Sequence, residues 1–113
     1  MSSERYQVVI VGAGLVGAAA ALALGRQGLR VALIERQLPV EPDAAWDTRI
    51  YAISPASQRF LERFGAWQRM DAGRLQPVYR MDVMGDTAGA IRLDAYEAGV
   101  SHLATIVESG RLQ

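Results

Sequence analysis

Apolar positions in the first third of the chain fall into three blocks. Residues 6–11 end in an unbroken β-branched run, "VVIV", residues 15–27 are rich in alanine and leucine, and residues 30–34 read "RVALI". Short continuous apolar runs are the mark of strands buried on both faces, while the longer alanine-rich block suits a helix closed by Gly28 at its C-terminal cap. The pattern predicts strand, glycine turn, helix and strand: a right-handed βαβ unit with parallel strands.

Further on, Ser54 and Pro55 mark a helix start, and Ile53, Phe60, Leu61, Phe64 and Trp67 recur at helical spacing until Gly65 breaks the pattern. These aromatics are read as core. In residues 78–95, Tyr79, Met81 and Val83 alternate with polar positions up to the Gly85–Gly89 segment, after which Ile91 and Leu93 alternate again. That period of two predicts a hairpin whose apolar face is core or pocket wall, with core the expectation for any one residue.

The eighteen uncharged residues from Val8 to Gly25 also have a length that borders on a membrane span or signal peptide. The β-branched start, the interruptions at Gly12, Gly14 and Gly17, and a poor basic flank of Glu4 and Arg5 count against both. A phosphate-binding turn explains the stretch instead. In G12-A-G14-L-V-G17, Gly12 permits the turn out of the strand, Gly14 lets backbone approach a pyrophosphate, and Gly17 lets the helix pack closely. Unpaired N–H groups and the positive end of the helix dipole then face the phosphates. Glu35, at the end of the second strand, stands where a carboxylate accepts from ribose hydroxyls. The βαβ unit by itself fits NAD and FAD equally.

Composition narrows the classes. Twelve basic and twelve acidic residues give no net charge, and half of the 113 residues are apolar, as in a soluble globular protein. Scattered arginines without a cationic excess argue against nucleic acid as a partner. With no cysteine and a single histidine, His102, there is no thiolate nucleophile and no evident metal site; His102 is read as a surface or strand-flanking residue. A reducing, cytoplasmic location fits. After Glu35 the chain departs through Pro39, Pro42 and Asp43 rather than continuing into another helix and strand as an NAD domain ordinarily does.

Five segments, "VVIVGAGLVGAAAALALGRQGLRVALIER", "DTRIYAIS", "LERFGAW", "MDVMGDTAGAIRLDA" and "LATIVESGRLQ", occur in the order and spacing of a known family. The chain resembles the N-terminal part of the FAD-dependent aromatic hydroxylases of the para-hydroxybenzoate hydroxylase fold, above all those of ubiquinone biosynthesis. The resemblance implies an enzyme that binds FAD, reduces it with NAD(P)H and uses oxygen to hydroxylate a small aromatic substrate. It implies cofactor-binding roles for Gly12, Gly14, Gly17 and Glu35, for Arg36 near the adenosine, for Arg49 of the D-x-R segment against FAD, and for Glu108 or its neighbours. Ser109 departs from the family's commoner asparagine. No catalytic side chain is assigned, since the cofactor carries the reactive chemistry.

The expected fold is α/β. Residues 1–75 are the N-terminal part of a Rossmann-like FAD-binding domain, residues 76–98 a hairpin of the substrate-domain sheet, and residues 99–113 a return segment to the FAD domain. The expected domain is incomplete, because only two parallel strands are evident and the family's later FAD motifs have no counterpart. The chain is therefore expected to be a piece of a longer hydroxylase, inactive alone, with exposed sheet surfaces that favour self-association. Peripheral membrane contact is left to the full-length protein. The alternatives are a non-catalytic nucleotide-binding or assembly module and an NAD-dependent dehydrogenase fragment.

Overall fold

The computed structural model describes residues 3–113. Strand β1 (Val8–Val11) and strand β2 (Val31–Ile34) pair in parallel, with Val8 opposite Val31 and Val11 opposite Ile34. Helix α1 (Leu15–Arg26) makes the crossover between them. Gly28 ends it at φ +86°, donating its N–H to Gly25 O at 3.1 Å; a left-handed residue is how such helices ordinarily stop. The βαβ unit expected from the apolar blocks is present, with strands one or two residues shorter than the apolar runs. At twelve residues α1 is well short of the roughly 20 that span a bilayer, and among the described residues no helix is long and apolar enough to cross a membrane.

Strand β3 (Ile50–Ile53) leads into helix α2 (Pro55–Arg63). Ser54 Oγ accepts the Ser57 N–H at 3.2 Å, and Pro55 occupies the first turn, where its missing donor costs nothing. The helix stops before Gly65, as expected, and Phe60 and Phe64 pack ring to ring at 5.0 Å, but the expectation that these aromatics are core is corrected: Phe60 is exposed and no residue of α2 is fully buried. Two single 3₁₀ turns follow, Trp67–Arg69 and Ala72–Arg74. Strands β4 (Gln76–Val78), β5 (Arg80–Met84), β6 (Ala90–Asp94) and β7 (Ala104–Glu108) and the short helix α3 (Ser109–Leu112) complete the chain.

The central structural element is β7. It lies between β3 and β4 and is antiparallel to both, with Glu108 opposite Ile50 and Ala104 opposite Val78. Four of its five residues are buried, including Thr105 and Glu108. Pro77, which cannot donate to a ladder, sits on edge strand β4. Residues 76–78 thus join the sheet of β3 and β7, and the hairpin begins only at Arg80.

Strands β5 and β6 form the hairpin in the register that the alternation predicts, Met81 opposite Leu93 and Val83 opposite Ile91, closed by Gly85 N–H to Gly89 O at 2.9 Å. The expectation that this face is core is corrected: Met81, Val83, Ile91 and Leu93 are all exposed. A two-stranded sheet has two faces, and among the described residues none packs closely enough on this one to bury it. The whole chain is correspondingly elongated, with a Cα radius of gyration of 18.0 Å against about 13 Å for a compact chain of this size.

Candidate nucleotide site

The glycine turn is built as its sequence suggests. Gly12 leaves β1 at φ +99° and donates its N–H to Ile34 O at 2.8 Å, which ties the turn to the neighbouring strand. A Cβ on Gly17 would lie 1.9 Å from Gly12 O and 3.4 Å from Ile10 Cγ2, so only glycine lets α1 sit against the turn. Gly14, the N-cap of α1, supplies no capping side chain, and a Cβ there would meet nothing within 4 Å. The helix start therefore offers N–H groups and open space above Gly14, which is the combination that an approaching anion needs.

Glu35 follows β2 directly and bends back to this turn. Its Oε2 accepts the Ala13 N–H at 2.6 Å, and its Oε1 accepts from Arg36 N at 2.7 Å and Gln37 N at 3.3 Å. These backbone donors, Ala13 first, hold the carboxyl below the ordinary glutamate range, so it is an anion at neutral pH. Arg36 is exposed and contributes only its backbone N–H to this arrangement.

Gly14 and Glu35 line an open cavity of ≈ 590 Å³ together with residues of the 37–49 segment, Glu108 and Arg111. The volume lies within the range of small-molecule sites, about 300–1,000 Å³. Arg49 lines the cavity with its side chain 80% exposed and only a 3.5 Å pairing to Asp47 Oδ1. Of the residues singled out in the sequence, Gly14, Glu35, Arg49 and Glu108 converge on this cavity. Gly12 and Gly17 shape the turn beneath it, and Arg36 stands off its wall.

Glu108 is a special case, because its carboxylate is engaged within the protein. Arg74 grips it as a fork, Nε to Oε1 at 2.7 Å and Nη2 to Oε2 at 3.1 Å; Arg111 Nε adds a contact at 3.1 Å and Asp47 N–H another at 2.7 Å. Arg74 and then Asp47 depress the Glu108 pKa, outweighing a residue exposure of only 4%. Glu108 thus borders the cavity as an anchor. Arg74 Nη1 and Nη2 also donate to Ala44 O and Ala45 O, at 3.3 and 2.9 Å, and Arg111 Nη2 donates to Asp43 O at 2.6 Å. The irregular 43–47 loop is held through Glu108 on β7.

The sequence reading missed Arg74, Arg111 and Trp46. One clue was present: a glutamate inside the strand-like "ATIVE" is rarely buried without a cationic partner, so its presence called for an arginine elsewhere. His102 lies before β7, its Nδ1 2.8 Å from Ser101 Oγ and its Nε2 2.9 Å from Gln58 Oε1, a strand-flanking place as expected. Among the described residues no group of three acidic or histidine side chains is gathered as a metal site.

The turn, the acid after β2 and the cavity beside them fit the adenosine diphosphate half of a dinucleotide: open backbone donors for phosphates, an anion for a ribose hydroxyl, and room for both. Residues 7–82 match the family described as FAD dependent oxidoreductase. Over 115 residues the chain is 35% identical to 3-demethoxyubiquinol 3-hydroxylase of Escherichia coli, covering 100% of this chain and 29% of that protein. It is 38% identical over 94 residues to the mitochondrial ubiquinone biosynthesis monooxygenase COQ6 of Xenopus tropicalis, covering 76% of this chain and 20% of the relative. Ubiquinone hydroxylase UbiL of Rhodospirillum rubrum is 40% identical over 78 residues, covering 68% and 18%. The chain spans less than a third of the length of these curated relatives. The family match takes in the βαβ unit, the glycine turn, Glu35 and Arg49, and the chain belongs to the FAD dependent oxidoreductase family.

Proposed function

We propose that this chain supplies the adenosine-diphosphate half of the FAD site in a flavin monooxygenase that hydroxylates an aromatic ring, a ubiquinone precursor, with NAD(P)H and O₂. The observation that carries the reading is the placement of the Glu35 carboxylate against the Ala13 N–H, inside the glycine turn. One acid thereby sits beside the phosphate-binding backbone with a lone pair left on Oε2 to accept a ribose hydroxyl. The similarity to ubiquinone-biosynthesis hydroxylases and monooxygenases supports the hydroxylase part of the proposal.

FAD, when bound, supplies the electron-transfer and oxygen chemistry. The chain's own residues bind and orient. Gly14 and the first N–H groups of α1 face the pyrophosphate, Glu35 accepts from the ribose, and Arg49 swings its fork of donors from Asp47 to a phosphate or ribityl oxygen. Arg36 reaches the adenosine from outside, and Glu108 holds the far wall in place. The reaction runs in the cytoplasm, where a chain without cysteines is at no disadvantage. The exposed hairpin face meets a second protein surface, in a copy of this chain or in the remainder of the enzyme.

Titration of the chain with FAD, followed by flavin fluorescence and by Tm, tests the binding claim. A ligand of the native state raises Tm by mass action. Glu35→Gln is expected to weaken FAD binding roughly tenfold, the loss of a charge-assisted hydrogen bond. Equal binding by both forms overturns the assignment of Glu35.

A further inference from the structure

Trp46 lines the cavity, yet it is 69% exposed, an unusual situation for one of the two largest side chains in the protein. It is also firmly held. The Arg74 guanidinium carbon lies 3.7 Å from the centre of its ring, covering one face. The residues on either side are pinned as well: Ala44 O and Ala45 O by Arg74, and Asp47 N–H by Glu108. Arg74 is in turn fixed by its fork on buried Glu108, with only 14% of its side chain exposed. Leu38 and Val40 of the same segment, though apolar and more exposed, have no comparable support in this cluster. The arrangement holds a flat aromatic surface at the cavity, with a cation over one face and most of the side chain left exposed.

Resting on the reading of this cavity as a nucleotide site, we infer that Trp46 is a stacking platform for a planar heteroaromatic ring of the bound cofactor. An open indole face binds any flat π-system by stacking, which takes little side-chain entropy when the ring is held in advance. Two rings of FAD have the required chemistry, adenine and isoalloxazine, and both are large enough to cover the indole. Arg74 is the positioning residue of the device. It touches the ring from behind and stands outside the cavity wall.

The two tryptophans allow a direct test. With the chain labelled at indole nitrogen, and the resonances assigned by Trp67→Phe, FAD is expected to shift the Trp46 signal and leave that of Trp67 in place. Trp46→Leu should weaken FAD binding roughly 5- to 100-fold, and Trp46→Phe by much less. ADP and riboflavin identify the ring: the one that reproduces the Trp46 shift carries the stacked group. An FAD affinity unchanged in Trp46→Leu, with the Trp46 resonance unmoved, overturns the stacking and leaves the Glu35 reading standing. Equal losses in the Phe and Leu variants overturn it too, because a mere space-filling role does not distinguish an aromatic ring. FAD or ADP binding left unchanged by both Trp46→Leu and Glu35→Gln overturns both readings.

Discussion

Arg74 and Glu108 meet through a two-point fork, at 2.7 and 3.1 Å, although 34 residues separate them in sequence. The pair joins a 3₁₀ turn to the end of the central strand, and through the arginine's remaining donors it fixes the loop that walls the cavity. Losing Arg74 leaves the buried Glu108 carboxylate with only Arg111, at 3.1 Å, as its cationic partner. Arg74→Gln is therefore expected to lower Tm by on the order of 10 °C. Arg49→Gln, at an exposed and loosely paired position, should leave Tm nearly unchanged. Thermal unfolding of the two variants side by side checks this.

The same cluster sets a pH limit. Glu108, Glu35 and Asp47 are all held below their ordinary values in the folded chain, by Arg74, by the Ala13 N–H and by the Arg49 N–H respectively. Carboxyls depressed by folding stabilise it fully above their unfolded pKa values, about 4.3 for glutamate and 3.9 for aspartate. That contribution is lost as pH falls through the lower folded values. Tm should be flat between neutrality and about pH 5, then fall steeply. Glu108→Gln should begin lower at neutral pH and fall less steeply. A Tm that falls equally in both proteins would show that Glu108 is not among the responsible groups.

Two glycines of α1 are expected to respond in opposite directions to the same added methyl group. Gly17→Ala forces a Cβ into the Gly12 carbonyl, which is backbone and cannot step aside, and should cost about 1–3 kcal/mol or more together with the geometry of the turn. Gly25→Ala meets nothing within 4 Å and should stabilise by roughly 0.5–1 kcal/mol through a better helix propensity. Urea unfolding of both variants measures the difference.

At the start of α2, Ser54→Ala removes the acceptor for the Ser57 N–H and should cost about 1 kcal/mol. Ser54→Asp should keep most of the cap. The equilibrium midpoint in urea, at unchanged slope, reads this out.

Local features of the fold were legible in the sequence, and long-range ones were not. The βαβ unit could be read because a β-branched run, three glycines and an alanine-rich block lie within thirty residues and each narrows the backbone choices. The hairpin register followed from its alternation, but not the exposure of its apolar face, which depends on what packs over it. Strands β3 and β7 were hidden for another reason. "IYAI" and "ATIVE" become a sheet only by meeting each other across more than fifty residues, and no local pattern announces that pairing. The site divides in the same way: Gly14 and Glu35 come from one contiguous unit, whereas Trp46, Arg74 and Glu108 assemble from three separate segments.

The place of β7 also bears on how the protein comes to be made. It is the middle strand of its sheet and follows β3 and β4 in the chain, so neither of them has this partner until residues 104–108 have left the ribosome. The βαβ unit can close early on its own short-range contacts. The Glu108 anchor, the pinned loop and the indole surface must all wait for residues 104–111 to be made, with the loop-closure entropy of a long separation to overcome. A ribosome paused before residue 104 would carry a formed phosphate turn opposite an unformed wall, with two unpaired strands exposed to whatever binds such edges in the cell.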